Sequence, residues 1–242
     1  MEHWEPLREG GWSMVYDDDL FRPGTDSFLL SSLPRLKAGA RVCDLGCGTG
    51  LLGLLLLQRR SDLFVTGIEL QEKAASLARR CGERNGLGER FRIIHDDLRQ
   101  VRQHFPAGSF DLCICNPPYY PAGSGKESRC TALGDARTER TCTLSDVCAA
   151  AEYLLRWGGD FCLVHKPERL TDVLYELRAH HIEPKRLRFV SPTASTPPSL
   201  FLIEGRRGGK SGLTLLPPLL LDTPEGRAEL DTIYFRKEDP AL

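Results

Sequence analysis

The sequence has no excess of charge of one sign: 32 Lys and Arg stand against 33 Asp and Glu, a formal net charge of −1. A protein that coats nucleic acid through charge alone is thereby excluded, although a local basic face is not. Long apolar runs are missing too. The longest, residues 51–57, is too short to cross a bilayer. No basic head leads into an apolar stretch and a small-residue cleavage site, so no secretory signal and no membrane association are expected. Paired C-x-x-C knuckles are absent, so no metal site is expected. There are no internal repeats. What remains is an ordinary globular mixture, 41% apolar and 27% charged over 242 residues, too apolar for bulk disorder. Nine cysteines, an odd count in a chain with no export signal, point to reduced thiols in a cytoplasmic protein.

From residue 41 onward, short β-branched or apolar runs alternate with helical patterns. Residues 41–45, 64–70, 91–95, 110–116, 159–165, 186–190 and 200–204 read as strands, and 50–59, 71–85, 98–104, 144–156 and 168–180 as helices. Alternation of this kind implies a parallel sheet covered on both faces. The nine residues 191–199, rich in Ser, Thr and Pro, leave no room for a crossover helix, so the last two strands form an antiparallel hairpin. The expectation is a seven-stranded α/β sheet with one antiparallel strand at the edge hairpin. Residues 1–40 read as an N-terminal appendage short of periodicity, 41–210 as the core, and 211–242 as a C-terminal tail with a helical-looking acidic end, all within one domain. Residues 121–141 form a polar loop with no convincing element, long enough to be a lid or a binding loop.

Asp44-Leu45-Gly46-Cys47-Gly48-Thr49-Gly50 follows the first strand and opens a helix. Glycines suit a tight turn that a ligand approaches closely. Glu69 closes the second strand, where a carboxylate can accept both hydroxyls of a ribose. Gly48-Thr49-Gly50-Leu51-Leu52-Gly53 also satisfies the dinucleotide pattern, so the glycines alone leave nicotinamide binding open. Asp96 and Asp97 end the third strand and stand where either can cap the helix that begins at Leu98.

Asn116-Pro117-Pro118-Tyr119 ends the fourth strand, and ligands of open α/β sheets bind beyond such ends. The prolines stiffen the turn. The Asn116 amide oxygen and the Pro117 carbonyl are then two fixed acceptors for the two N–H groups of a planar exocyclic amine. Binding both frees the nitrogen lone pair to meet a methyl sulfonium. Tyr119 is placed to stack on the substrate's planar group, worth about 1–3 kcal/mol for a nucleobase.

The glycine turn resembles that of class I S-adenosylmethionine-dependent methyltransferases, with their Rossmann-like sheet. This implies S-adenosylmethionine as cofactor, with Asp44, Gly46, Gly48 and Gly50 lining its methionine part. Glu69 and the adjoining Leu70 would take the ribose side, and Asp97 the adenine amine. The N-P-P-Y tetrapeptide resembles the signature of enzymes that methylate adenine N6, guanine N2 or glutamine N5. Only 43 residues precede Asp44, whereas release-factor glutamine methyltransferases carry a longer helical domain there. Gly24-Thr25-Asp26-Ser27-Phe28-Leu29-Leu30 resembles the G-T-D-A-x-L-L segment of the bacterial tRNA (adenine-N6)-methyltransferases that act beside the anticodon of a valine tRNA. Ala136-Arg137-Thr138-Glu139 and His165-Lys166-Pro167-Glu168-Arg169-Leu170 resemble that family's A-R-H-E and H-R-P-E-R-L. The likeness spans nearly the whole chain. It implies that Thr25 and Asn116 also face the cofactor, that tRNA is the substrate, and that no obligate protein partner is needed; methylation of ribosomal RNA or of a protein glutamine is the alternative. Thr138 departs from the family's His, and Lys166 from its Arg.

A tRNA enzyme needs phosphate contacts. Candidates are Lys185, Arg186 and Arg188, then Arg206, Arg207 and Lys210, and in the long loop Lys126, Arg129, Arg137 and Arg140; each cluster also reads as solvated surface. Residues 1–26 carry two basic and seven acidic groups, and 222–242 three and six, leaving 27 basic against 20 acidic between them. The acidic ends thus flank a basic middle that permits an RNA substrate.

Overall fold

The structure, a computed structural model, describes residues 1–8, 11–20, 24–117 and 142–235. It opens on an antiparallel hairpin, β1 (Glu2–Pro6) and β2 (Ser13–Asp17), followed by a short helix, α1 (Thr25–Ser31). The sequence reading gave this appendage only a turn at residues 21–26 and an apolar stretch; of that turn, residues 21–23 lie outside the described residues. β2 inserts Val15, 1% exposed, into the core. Asn85 ties the hairpin down, accepting from the Ser13 N–H (2.8 Å) and donating to the Ser13 carbonyl (2.7 Å).

The main sheet is built from strands apolar on both faces, as a sheet covered on each side requires. Chain order runs β3 (Arg41–Leu45), α2 (Leu51–Arg59), β4 (Phe64–Glu69), α3 (Glu72–Arg84) and β5 (Phe91–His95). Then come α4 (Val101–His104), β6 (Phe110–Cys115), α5 (Leu144–Leu154), β7 (Leu155–His165) and α6 (Leu170–Ala179). The chain ends in β8 (Ile182–Ser191), β9 (Leu200–Arg207), β10 (Thr214–Leu215), β11 (Leu219–Leu220) and α7 (Pro224–Ile233). All seven expected strands are present, joined at the edge by the two-residue β10 and β11, which pair parallel to β8. The sheet order is β10-β8-β9-β7-β6-β3-β4-β5. β9 is the reversed strand, antiparallel to both β7 and β8 and lying between them.

Leucines fill six of the first seven positions of α2, all of them buried, because the helix lies between the sheet and the N-terminal elements. The longest apolar run is therefore core, and no helix among the described residues is long and apolar enough to cross a membrane. Phe91 organises the neighbouring helices: a Cβ added at Gly50, Gly53 or Gly82 would approach its ring to 2.6–2.7 Å. Gly50 is doubly constrained, since its φ of +84° already disfavours other residues. At the far side Arg186 donates to Glu204 (2.9 Å) and to the Leu33 carbonyl (2.7 Å), fastening the segment after α1 to β8 and β9. Breaking such a pair strands a buried carboxylate, at about 3–5 kcal/mol.

The topology positions the site. From β3 the chain steps outward to β4 and β5, then returns to β6 on the other flank of β3. That reversal opens a crevice beyond the carboxyl ends of β3 and β6.

Candidate active site

The glycine turn leaves β3 with backbone dihedrals that only glycine adopts freely: φ is +73° at Gly46, +55° at Gly48 and +84° at Gly50. Its N–H groups are anchored to β4. Gly46 and Cys47 both donate to the Ile68 carbonyl, at 2.9 and 3.1 Å. Glu69 folds back on the turn, its carboxylate accepting from the Gly48 N–H (2.8 Å) and the Gln71 N–H (2.8 Å). Each oxygen keeps a second lone pair, the capacity that a ribose diol requires. Burial pushes the Glu69 carboxyl up, against the pull of those backbone donors.

Asp44 is 1% exposed, and its Oδ2 has no hydrogen-bond partner among the described residues. Burial, followed by the Glu69 charge, raises its carboxyl to about 7, while the Gly53 N–H pulls it down. A buried carboxylate left with an unmatched oxygen is costly. A cationic group delivered by a ligand would relieve it, and the methionine end of S-adenosylmethionine carries an ammonium. The donor set therefore fits that cofactor.

Beyond β5 both acids have protein partners. Asp97 caps the 3₁₀ turn at Leu98–Gln100, accepting from the Arg99 N–H (2.9 Å), and pairs with the Arg99 guanidinium. Asp96 meets His104 Nε2 at 2.6 Å. The Arg99 and His104 hydrogen bonds hold the two carboxyls below the usual range. Leu70 is 42% exposed, and its carbonyl accepts from His95 Nε2 (3.1 Å).

Asn116 stands directly beyond β6, half-buried, followed by a buried Pro117. The Cys115 thiol donates to the Leu45 carbonyl (3.0 Å), locking the end of β6 to the end of β3. Asn116 Nδ2 donates to Ser27 Oγ (3.2 Å) on α1, so the Gly24–Leu30 segment reaches the turn; Thr25 is exposed on the same helix. Pro118, Tyr119 and the loop cations Lys126, Arg129, Arg137 and Arg140 lie outside the described residues, as does Thr138.

The family described as "Methyltransferase small domain" matches residues 13–177. The chain is 30% identical over 221 residues to "tRNA1(Val) (adenine(37)-N6)-methyltransferase" of Dickeya chrysanthemi (strain Ech1591), covering 89% of this chain and 86% of that one. It belongs to the methyltransferase small domain family. It is a class I methyltransferase, and its methyl donor is S-adenosylmethionine. A second relative of the same description, from Serratia proteamaculans (strain 568), is 33% identical over 164 residues, 65% of this chain and 62% of that one. Among solved structures, a predicted O-methyltransferase from Agrobacterium tumefaciens superposes with a TM-score of 0.70 at 21% identity, covering 87% of this chain and 95% of that one. That likeness speaks to the fold.

In this methyltransferase five of the hairpin cations that the sequence offers as phosphate-contact candidates have partners within the protein. Arg186 is spent on Glu204, Arg188 on Glu229 and the Pro217 carbonyl, Arg206 on Asp160, and Arg207 on the Leu155 carbonyl. Lys185 donates to the carbonyls of Lys210 (2.9 Å) and Gly212 (2.8 Å). Because β9 runs backwards, Arg206 pairs in register with Asp160, toward the start of β7 and away from the edge that carries Asn116. His165 is fully buried at the end of β7 and accepts from the Lys166 N–H (2.8 Å). Burial, then the Arg169 charge, lowers it to about 3, so it is a neutral imidazole throughout the physiological range. The residue that sequence reading passed over is Ser27, whose only signal was its place in the segment that resembles G-T-D-A-x-L-L.

Proposed function

We propose that this methyltransferase acts on the N6 amine of an adenine in tRNA, beside the anticodon, and works in the cytoplasm. The observation that carries this reading is the near full-length similarity to a relative named for that reaction, joined to an Asn-Pro turn at the end of β6, the strand next to the one that opens into the glycine turn. The Serratia alignment spans somewhat under two-thirds of that relative's own length.

When bound, S-adenosylmethionine supplies an electrophilic methyl group on a sulfonium. Asp44, Gly46, Gly48 and Gly50 hold its methionine part in this reading, Glu69 and Leu70 its ribose side, and Asp97 its adenine. Thr25 borders the same crevice. Asn116 Oδ1 and the Pro117 carbonyl accept the two N–H groups of the target amine and leave its lone pair exposed, while Tyr119 stacks on the purine. Positioning of this kind, rather than a strong base, does the chemical work. Extruding the adenine from its stack costs a few kcal/mol. The N-terminal hairpin and the C-terminal segment belong with the core to one domain, since Val15 and Ile233 both enter its core.

Incubation with methyl-labelled S-adenosylmethionine and, separately, bulk tRNA, ribosomal RNA or a glutamine-bearing release factor tests the substrate class. Label is expected in tRNA; label confined to protein or to ribosomal RNA overturns the reading.

The Asp44 carboxyl sets a pH dependence. Below about pH 7 it is neutral in the free protein and offers a ligand ammonium no counter-charge; above, it is ionised. Cofactor affinity should therefore rise as pH climbs through 7, by up to about tenfold per unit on the acid side. Calorimetric titration from pH 5.5 to 8.5 checks this. Asp44→Asn should flatten the profile, and a wild-type affinity that stays level or falls through pH 7 contradicts the role given to Asp44.

A further inference from the structure

Ser27 and Asn116 are 89 residues apart in sequence, and their side chains meet at 3.2 Å. Ser27 is 8% exposed, so water competes weakly for this bond. The helix that carries it has only seven residues, too few for stability of its own, and is held from two sides. Phe28 stacks on Tyr234 just beyond α7 (centroids 4.5 Å apart, planes at 25°). Arg186 holds the Leu33 carbonyl beyond its carboxyl end. The serine hydroxyl is thus presented by an anchored element.

We propose that Ser27 is a positioning residue for methyl transfer, fixing the side-chain amide of Asn116 so that its acceptor arm is set before the substrate amine arrives. This rests on the amine-binding role of Asn116 in the proposed function. The terminal torsion of an asparagine is broad and weakly restrained. The amide is planar, so holding Nδ2 on Ser27 also fixes the direction of Oδ1. An acceptor aligned in advance needs no reorganisation during reaction and acts on turnover rather than on cofactor binding.

The test compares wild type, Ser27→Ala and Ser31→Ala in kcat, in S-adenosylmethionine Kd and in thermal melting, with bulk tRNA as substrate. Ser31 is the internal control: it is fully buried on the same helix, and its hydroxyl donates to the Phe28 carbonyl (2.7 Å). Ser27→Ala is expected to lower kcat about tenfold with cofactor Kd unchanged, the scale of one aligned hydrogen bond. Ser31→Ala should leave kcat within about twofold even where melting falls. Wild-type turnover in Ser27→Ala, a loss confined to cofactor affinity, or an equal loss of kcat in Ser31→Ala overturns the proposal. A wild-type enzyme that binds the cofactor yet methylates no tRNA overturns the tRNA reading and this inference with it. An active wild type matched by Ser27→Ala overturns the inference alone.

Discussion

Replacing Asn116 with alanine is expected to lower methyl transfer by about a hundredfold to a thousandfold, while S-adenosylmethionine affinity stays within about twofold. The size follows from what is lost. A prealigned acceptor at the reacting nitrogen acts mainly in the transition state, where removing one such group costs on the order of 10²–10³ in rate, and positioning is the main resource of this chemistry. The cofactor side is spared because the Gly46, Cys47 and Gly48 N–H groups are held by the Ile68 carbonyl and Glu69 of β4. Folding is spared as well, because Asn116 is only half-buried and stands just beyond the end of β6 rather than inside the sheet. Single-turnover assays with tRNA, paired with calorimetric titration of the cofactor, separate the two quantities. Near-normal turnover in Asn116→Ala contradicts the amine-binding role, and a parallel collapse of cofactor affinity shows that Asn116 belongs to the cofactor side.

Replacing Glu69 with alanine is expected to do the reverse at binding, raising the cofactor dissociation constant by about a hundredfold or more. Two losses combine. The buried carboxylate is the candidate acceptor for a ribose diol, and charge-assisted hydrogen bonds are about twice as strong as neutral ones. It also holds the Gly48 and Gln71 N–H groups at 2.8 Å, so its removal leaves both donors without that acceptor and loosens the turn. Glu69→Gln should fall between alanine and wild type, because an amide keeps one acceptor and turns an N–H toward the other donor. The Glu69 charge is among the causes that raise Asp44, so the Asp44 carboxyl should titrate lower in Glu69→Gln, which carbon-detected NMR reads directly. Cofactor affinity unchanged in Glu69→Ala contradicts the assignment.

The central sheet was legible because its strands are short apolar runs separated by helical periods, and a reversed strand followed from a nine-residue connection too short for a crossover. Less regular parts were not. β2 is five residues long and carries Asp17 among its buried positions, so its alternation is brief and broken by charge. β10 and β11 are two residues each, separated by Leu216, Pro217 and Pro218, and prolines mask a strand from any propensity reading. At the site, spacing identified the glycine turn and the Asn-Pro turn because each sits next to a strand end. Ser27 was hidden for the opposite reason, as its partner is 89 residues away. A cluster of cations in sequence shows charge but not partners; Glu204, Glu229 and Asp160, which pair with Arg186, Arg188 and Arg206, come from other strands and from α7. Asp97 shows a further limit. Its cap on the turn at Leu98 was one of two readings open in the sequence, and the structure displays that cap together with the Arg99 pair. An adenine contact would be shared with those bonds.

The central claim is that Asn116 and Pro117 present an adenine amine for methylation. It is tested most directly by locating the methyl group in the product. A purified valine tRNA, methylated to completion with labelled S-adenosylmethionine, is digested to nucleosides and, in parallel, to sequence-mapped fragments for mass spectrometry. N6-methyladenosine at the adenine beside the anticodon is the expected result; label in any other nucleoside, or an unmodified adenine amine, contradicts the account.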